Sequence, residues 1–212
     1  MKKILTILCL LNATSVSAQT LDNDYKFSDD AAYFNIKIAG IMHNVKNISL
    51  TDKNLSITSK LENINDSSTG FGFALGRDFY KDEAKMPLRA EIEFMLRGGG
   101  SNNVNADFNA QSFILNTYYD FRFLKSPIYP YLGIGAGFSF TSFDVPYMNN
   151  MKIKPTIATE IGLNIDLSKK MAAGIGARYV YYGNITVSDA NYKATAKTLS
   201  GTEILASLKM FF

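Results

Sequence analysis

The chain has 212 residues, 47% of them apolar and 19% charged, with a mean hydropathy of -0.02. These values exclude a disordered chain, a collagen-like chain and a helical membrane protein. Lysine and arginine number 22 against 19 acidic residues, and a net charge of +3 gives no reason to expect a nucleic-acid partner. Cys9 and His43 are the only cysteine and the only histidine. Most metal sites and thiol chemistries therefore lack ligands, and no cofactor is expected.

The N-terminal residues set the compartment. Lys2 and Lys3 precede an apolar run from Ile4 to Leu11, broken only by Thr6, and Val16-Ser17-Ala18 closes a small, polar stretch before Gln19. A positive start, a short apolar core and a small-x-small close describe a secretory signal peptide over residues 1–18, cleaved after Ala18. A run of eight residues, seven of them apolar, is far too short for a membrane-spanning helix, which needs about 20. Removing Lys2 and Lys3 leaves 20 basic against 19 acidic residues, and Cys9 leaves with them. The exported chain is thus expected to hold no disulfide. Residues 19–30 are polar and lack alternation, as in a loose periplasmic tail.

From residue 31 to 212 the pattern has period two, the mark of strands with two unlike faces. Eight such segments occur, at about 33–44, 69–79, 88–97, 110–123, 130–143, 154–167, 171–182 and 200–212. In 88–97 the even face reads Leu88, Ala90, Ile92, Phe94, Leu96 and the odd face Arg89, Glu91, Glu93, Met95, Arg97. Pro155 to Leu167 places Ile157, Ile161, Leu163 and Ile165 on one face, with Ala158, Glu160, Gly162 and Asn164 on the other. Connections at 80–87, 124–129 and 168–170 are short; those at 45–68, 98–109, 144–153 and 183–199 are longer and rich in Asn, Ser, Asp, Lys and Thr. Antiparallel hairpins with all long loops at one end are the plan of an all-β, eight-stranded, up-and-down transmembrane barrel.

A soluble barrel turns its apolar face inward and a membrane barrel turns it outward. Here the polar face mixes charges with Gly72, Ala74, Gly76, Gly133, Gly135, Gly137, Gly162, Gly174 and Gly176. Small residues between long charged ones suit a narrow, crowded interior. Phe79, Tyr119, Phe121, Tyr179, Tyr181 and Phe212 stand near strand ends on the apolar face, where a membrane girdle belongs. The alternative is a soluble secreted barrel of lipocalin type.

Parity sends Lys37, Asp78, Arg89, Glu91, Glu93, Arg122, Glu160, Arg178, Glu203 and Lys209 into the lumen. A turn at Ser168-Lys169-Lys170 that pairs Leu167 with Met171 sets Gly162 opposite Gly176 and Glu160 opposite Arg178. A Glu160–Arg178 ion pair is expected inside the barrel, and Arg89 is expected near Asp78. Unpaired charges in a narrow lumen cost several kcal/mol each. A basic side chain facing lipid costs about 2–4 kcal/mol at the midplane. A paired interior network follows, serving as a structural plug or as an ion path.

The last segment alternates Thr202, Ile204, Ala206, Leu208, Met210, Phe212 and ends on that phenylalanine. Together with Tyr129-Pro130-Tyr131-Leu132-Gly133-Ile134-Gly135-Ala136-Gly137, it resembles small outer-membrane barrels of the opacity-protein type. That group includes surface antigens of intracellular alpha-proteobacteria and, more distantly, OmpX and the OmpA barrel. The resemblance covers about residues 31–212 and implies an outer-membrane protein with surface loops, often an adhesin or antigen. It implies contact with outer-membrane lipid, assembly by the barrel-assembly machinery through Phe212, and a host-surface protein or glycan as a loop partner. No periplasmic peptidoglycan-binding domain is expected after the barrel, a departure from full-length OmpA.

Some barrels of this size are lipid-modifying enzymes that use a histidine beside a serine or carboxylate. His43, with Ser49 and Asp52 in the following loop, is the only candidate, and it reads more simply as a solvated rim histidine. Gly98-Gly99-Gly100 precedes no helix that could cradle phosphate and reads as a hairpin loop. No enzymatic activity is expected. A loop-presenting surface protein leads, with a narrow pore for small solutes or ions as the alternative.

Overall fold

Alternating segments cannot satisfy their backbone groups alone, and in this chain each one pairs antiparallel with its neighbours. The computed structural model describes residues 31–52, 57–61, 64–82, 85–100, 107–122, 126–145, 148–188 and 192–212. The proposed signal peptide and tail lie outside the described residues. The strands are β1 (Ala32–Asp52), β2 (Ile57–Leu61), β3 (Ile64–Asp78), β4 (Leu88–Gly100), β5 (Asp107–Asp120), β6 (Ile128–Val145), β7 (Met148–Ser168), β8 (Met171–Ser188) and β9 (Tyr192–Phe211). Their order is β2-β1-β3-β4-β5-β6-β7-β8-β9, and β1 also pairs with β9. β2 and β3 pair with successive stretches of β1 in one register, Asp52↔Ile57 and Ala32↔Arg77. They form one stave between them. The wall is therefore a closed barrel of eight staves, sealed from Tyr33↔Phe211 to Asp52↔Tyr192.

Closure removes the sheet edges that would otherwise bare backbone groups to hydrocarbon. Phe211 N–H donates to Lys170 O and Phe212 N–H to Ala32 O, so the final residues are tied into the wall. The outward face is apolar on every stave: Ile92 is 66% exposed, Ile134 62%, Ile161 61% and Ile204 58%, while their strand neighbours Glu91, Gly133, Glu160 and Glu203 are buried. Phe73, Phe94, Phe113 and Phe138 pack ring to ring across four adjacent strands at centroid spacings of 5.4, 4.7 and 5.5 Å. Tyr119, Tyr179, Tyr181 and Phe212 also face outward.

Two local expectations need correction. Asp166 pairs with Ala172 but Ser168 pairs with Met171, so Leu167 is a bulge and not the partner of Met171. The turn takes two residues, Lys169 and Lys170, and the bulge absorbs the odd one without moving the register above it. The segments at 45–68, 144–153 and 183–199 are also mostly strand and not loop. β1 runs to Asp52, β6 and β7 pair up to Val145↔Met148, and β8 and β9 up to Ser188↔Lys193. Alternation fades there because both faces of a ribbon beyond the membrane meet water, while backbone pairing needs no apolar face.

Above the ring the wall divides. β3 leaves β4 after Thr69↔Gly98, and β7 leaves β8 after Ile157↔Tyr181. Pairing continues as two separate sheets, β2/β3-β1-β9-β8 and β4-β5-β6-β7.

Candidate functional site: a filled lumen below a split rim

The inward face brings buried charges from seven staves to one axis. At its centre Arg178 of β8 donates to Glu93 of β4 (2.7 Å) and Glu203 of β9 (2.7 Å). Glu160, directly opposite in the register, stands 3.8 Å away. That pair is the longest Arg178 makes, because Glu160 is taken up by Tyr131 (2.6 Å) and Tyr118 (3.3 Å). Lys37 of β1 bridges Glu91 (2.6 Å) and Glu93 (2.5 Å). Arg97, absent from the expected network, meets Glu203 at 2.5 Å and also donates to Ser112.

A second layer lies toward the short turns. Asp78 and Arg89 are register partners, as counting suggests, yet they do not pair with each other. Arg89 turns to Asp120 (2.8 Å) and Glu91 (3.5 Å). Arg122, beyond the end of β5, reaches under the mouth to Asp78 (2.8 Å), Asp166 (3.2 Å) and Asp120 (3.6 Å). An arginine in the turn can reach several strand ends at once, which a fixed cross-strand neighbour cannot. Lys209 points inward and donates to Asn164. Lys81 reaches the Lys169 carbonyl (2.8 Å) and lies over the Phe211 ring, so the β3–β4 turn leans across toward the β7–β8 turn.

Tyrosines fill the spaces between charges. Tyr118 lies against Gly133, where an added Cβ would stand 2.5 Å from the ring, and the Tyr131 hydroxyl occupies the space above Gly162 and Gly176. Tyr118, Tyr131, Asn35, Asn116, Asp120 and Asn164 were not among the expected network residues, although Tyr118 and Asp120 share inward parity opposite Tyr119 and Phe121. We expect Tyr131→Phe to cost about 1.5–3 kcal/mol in equilibrium unfolding, since it removes a donor from a buried carboxylate. A wild-type unfolding midpoint would show that water replaces the hydroxyl.

Toward the split rim, Ala39, Ile41, Met95 and Leu205 form a buried apolar cluster beside the Arg97–Glu203 pair. Above it lies His43, which is not solvated at the rim as expected: it is 2% exposed, and its Nε2 is 2.7 Å from Ser68 Oγ. The reason is parity, since odd positions of β1 face inward. Ser49 and Asp52 belong to β1 rather than a loop, and Ser49 bonds the Thr195 carbonyl. Gly98 to Gly100 end β4. No group of His, Cys, Asp and Glu suited to a metal occurs among the described residues.

Comparison with known proteins agrees with this architecture. The family model described as outer membrane protein beta-barrel domain matches residues 6–208. The structure of Neisserial surface protein A is similar with a TM-score of 0.59 and 17% identity, covering 85% of this chain and 97% of that one. OprG from Pseudomonas aeruginosa is similar with a TM-score of 0.50 and 12% identity, covering 85% and 97%. No curated protein sequence matches the chain. The soluble lipocalin-type alternative falls with the family match and with a wall that is apolar outside and charged inside. The chain belongs to the outer membrane protein β-barrel domain family.

Proposed function

We propose that this barrel conducts nothing and serves to hold its two ribbon sheets at the cell surface, where they bind a host-surface protein or glycan. The observation that carries the reading is the contrast between the two ends of the axis. The ring is packed with ion pairs and tyrosines, while the strands run on past it as two sheets that part between β3 and β4 and between β7 and β8. A solute path would need open space along the axis, and the buried side chains of Arg97, Tyr118, Tyr131 and Arg178 occupy it. His43 is read as a structural hydrogen bond, since an imidazole 2% exposed offers a substrate no approach.

The same reading includes export by a signal peptide cleaved after Ala18, a periplasmic tail over residues 19–30, and assembly through the strand ending at Phe212. The purified protein in planar bilayers is expected to give no conductance steps. Exchange of residues 144–153 or 183–199 for short turns is expected to abolish adhesion to host cells while the heat-modifiable barrel band persists on gels. Ion conductance by the wild-type protein would favour the pore instead. Unchanged adhesion in both exchanges would remove the surface-binding role.

A further inference from the structure

We propose that the lumen holds one water molecule as a fixed part of its network, bound between the two ionic layers by Arg89, Asn35 and Lys209. A cavity of about 10 Å³ lies there, and all three residues line it together with Lys37, Glu91 and Ser207. About 10–15 Å³ in this measure is the space one water requires.

The unmet valences on its wall define the guest. Arg89 spends Nε on Asp120 and Nη1 on Tyr33 and Glu91, and its Nη2 has no hydrogen-bond partner among the described residues. Asn35 gives its amide nitrogen to Glu91 Oε1 at 3.0 Å, which fixes the orientation of the amide. Its Oδ1 is likewise left without a partner among the described residues. Both side chains are at least 98% buried, as their exposures are 2% and 1%. Lys209 is 3% exposed, donates to Asn164 Oδ1, and has no carboxylate within 4 Å among the described residues, unlike Lys37, Arg89, Arg97 and Arg178.

A guest here must accept hydrogen bonds from two cationic donors and donate one to an amide oxygen. A halide satisfies the cations but would face Asn35 Oδ1 with nothing to donate. An ammonium or metal cation would find the Glu91 and Glu160 carboxylates outnumbered by Lys37, Arg89 and Lys209, and it could not accept from Arg89 Nη2. Water alone does both jobs. Its place also explains how Lys209 is tolerated so deep: the molecule gives its second donor hydrogen an acceptor.

Two measurements on the full protein in detergent test this. A crystal grown in bromide should show a single peak within hydrogen-bond distance of Arg89 Nη2 and Asn35 Oδ1, with no anomalous signal. An anomalous peak would make the site a halide site, and an empty map with Arg89 closed directly onto Asn35 would remove it. Water relaxation dispersion should report a slowly exchanging molecule that is lost in Ser207→Val, whose methyl groups enter the cavity. Retention of that signal in a Ser207→Val protein with a normal heat-modifiable band would overturn the assignment, because the water would then lie elsewhere.

Discussion

Replacing Arg178 with alanine is expected to destabilise the barrel by about 3–5 kcal/mol, the largest loss of any single charge removal in the lumen. The guanidinium meets Glu93 and Glu203 at 2.7 Å and lies 3.8 Å from Glu160, so its loss leaves three buried carboxylates with a net negative excess. Lys37 still holds Glu93 and Arg97 still holds Glu203, which limits the damage at those two. Glu160 keeps only tyrosine donors. Arg178→Lys is expected to recover part of the loss, because it restores the charge without the planar fork that reaches Glu203 through Nε and Glu93 through Nη1. Pairing Arg178→Ala with Glu203→Gln should cost less than the sum of the two, since the second change removes one stranded charge. Urea unfolding in lipid vesicles, followed by the heat-modifiable band, measures all three. A loss below about 1 kcal/mol for Arg178→Ala would mean that solvent enters the lumen and screens the carboxylates.

Much of this site is legible in the sequence because strand geometry is strict. Parity alone turns Glu91, Glu93, Glu160, Arg178 and Glu203 to one side, and the turn at Lys169-Lys170 fixes Glu160 opposite Arg178 even though Leu167 bulges out of the ladder. What parity cannot give is the choice of partner. Side chains of arginine reach beyond the nearest neighbour, so Arg178 spans the lumen to Glu93 of β4, and Asp78 is claimed by Arg122 instead of its register partner Arg89. Those contacts depend on barrel closure, which brings together strands far apart in the chain. The ends of β1, β6, β7, β8 and β9 were hidden for a different reason. Period two reports a difference between faces, and ribbons standing in water have none. The tyrosines left a signal of another kind: glycines at Gly133, Gly162 and Gly176 mark where rings lie against the wall.

The width of that wall leads to a second large effect, at Gly137 of β6. Alanine there is expected to cost about 1–3 kcal/mol or more, or to block assembly outright. Its Cβ would run into the Phe113 carbonyl oxygen and stand 2.8 Å from Ile114 Cα, and both are backbone of the paired strand β5. Backbone cannot yield without opening the β5–β6 ladder, whereas a flexible side chain can turn away. Gly98 provides that contrast: a Cβ there meets only the side-chain oxygen of Asn109, at 2.7 Å, and the amide can rotate. Gly40 faces outward with nothing within 4 Å, so Gly40→Ala is expected to be neutral or to stabilise by about 0.5–1 kcal/mol, through lower chain entropy in the unfolded state. Folding yields into vesicles for the three alanine variants should therefore rank Gly40 above Gly98 and Gly98 above Gly137. Equal yields would mean that the staves slide apart easily. The lumen charges would then be held by a looser, wetter wall, and the case for a non-conducting barrel would weaken with it.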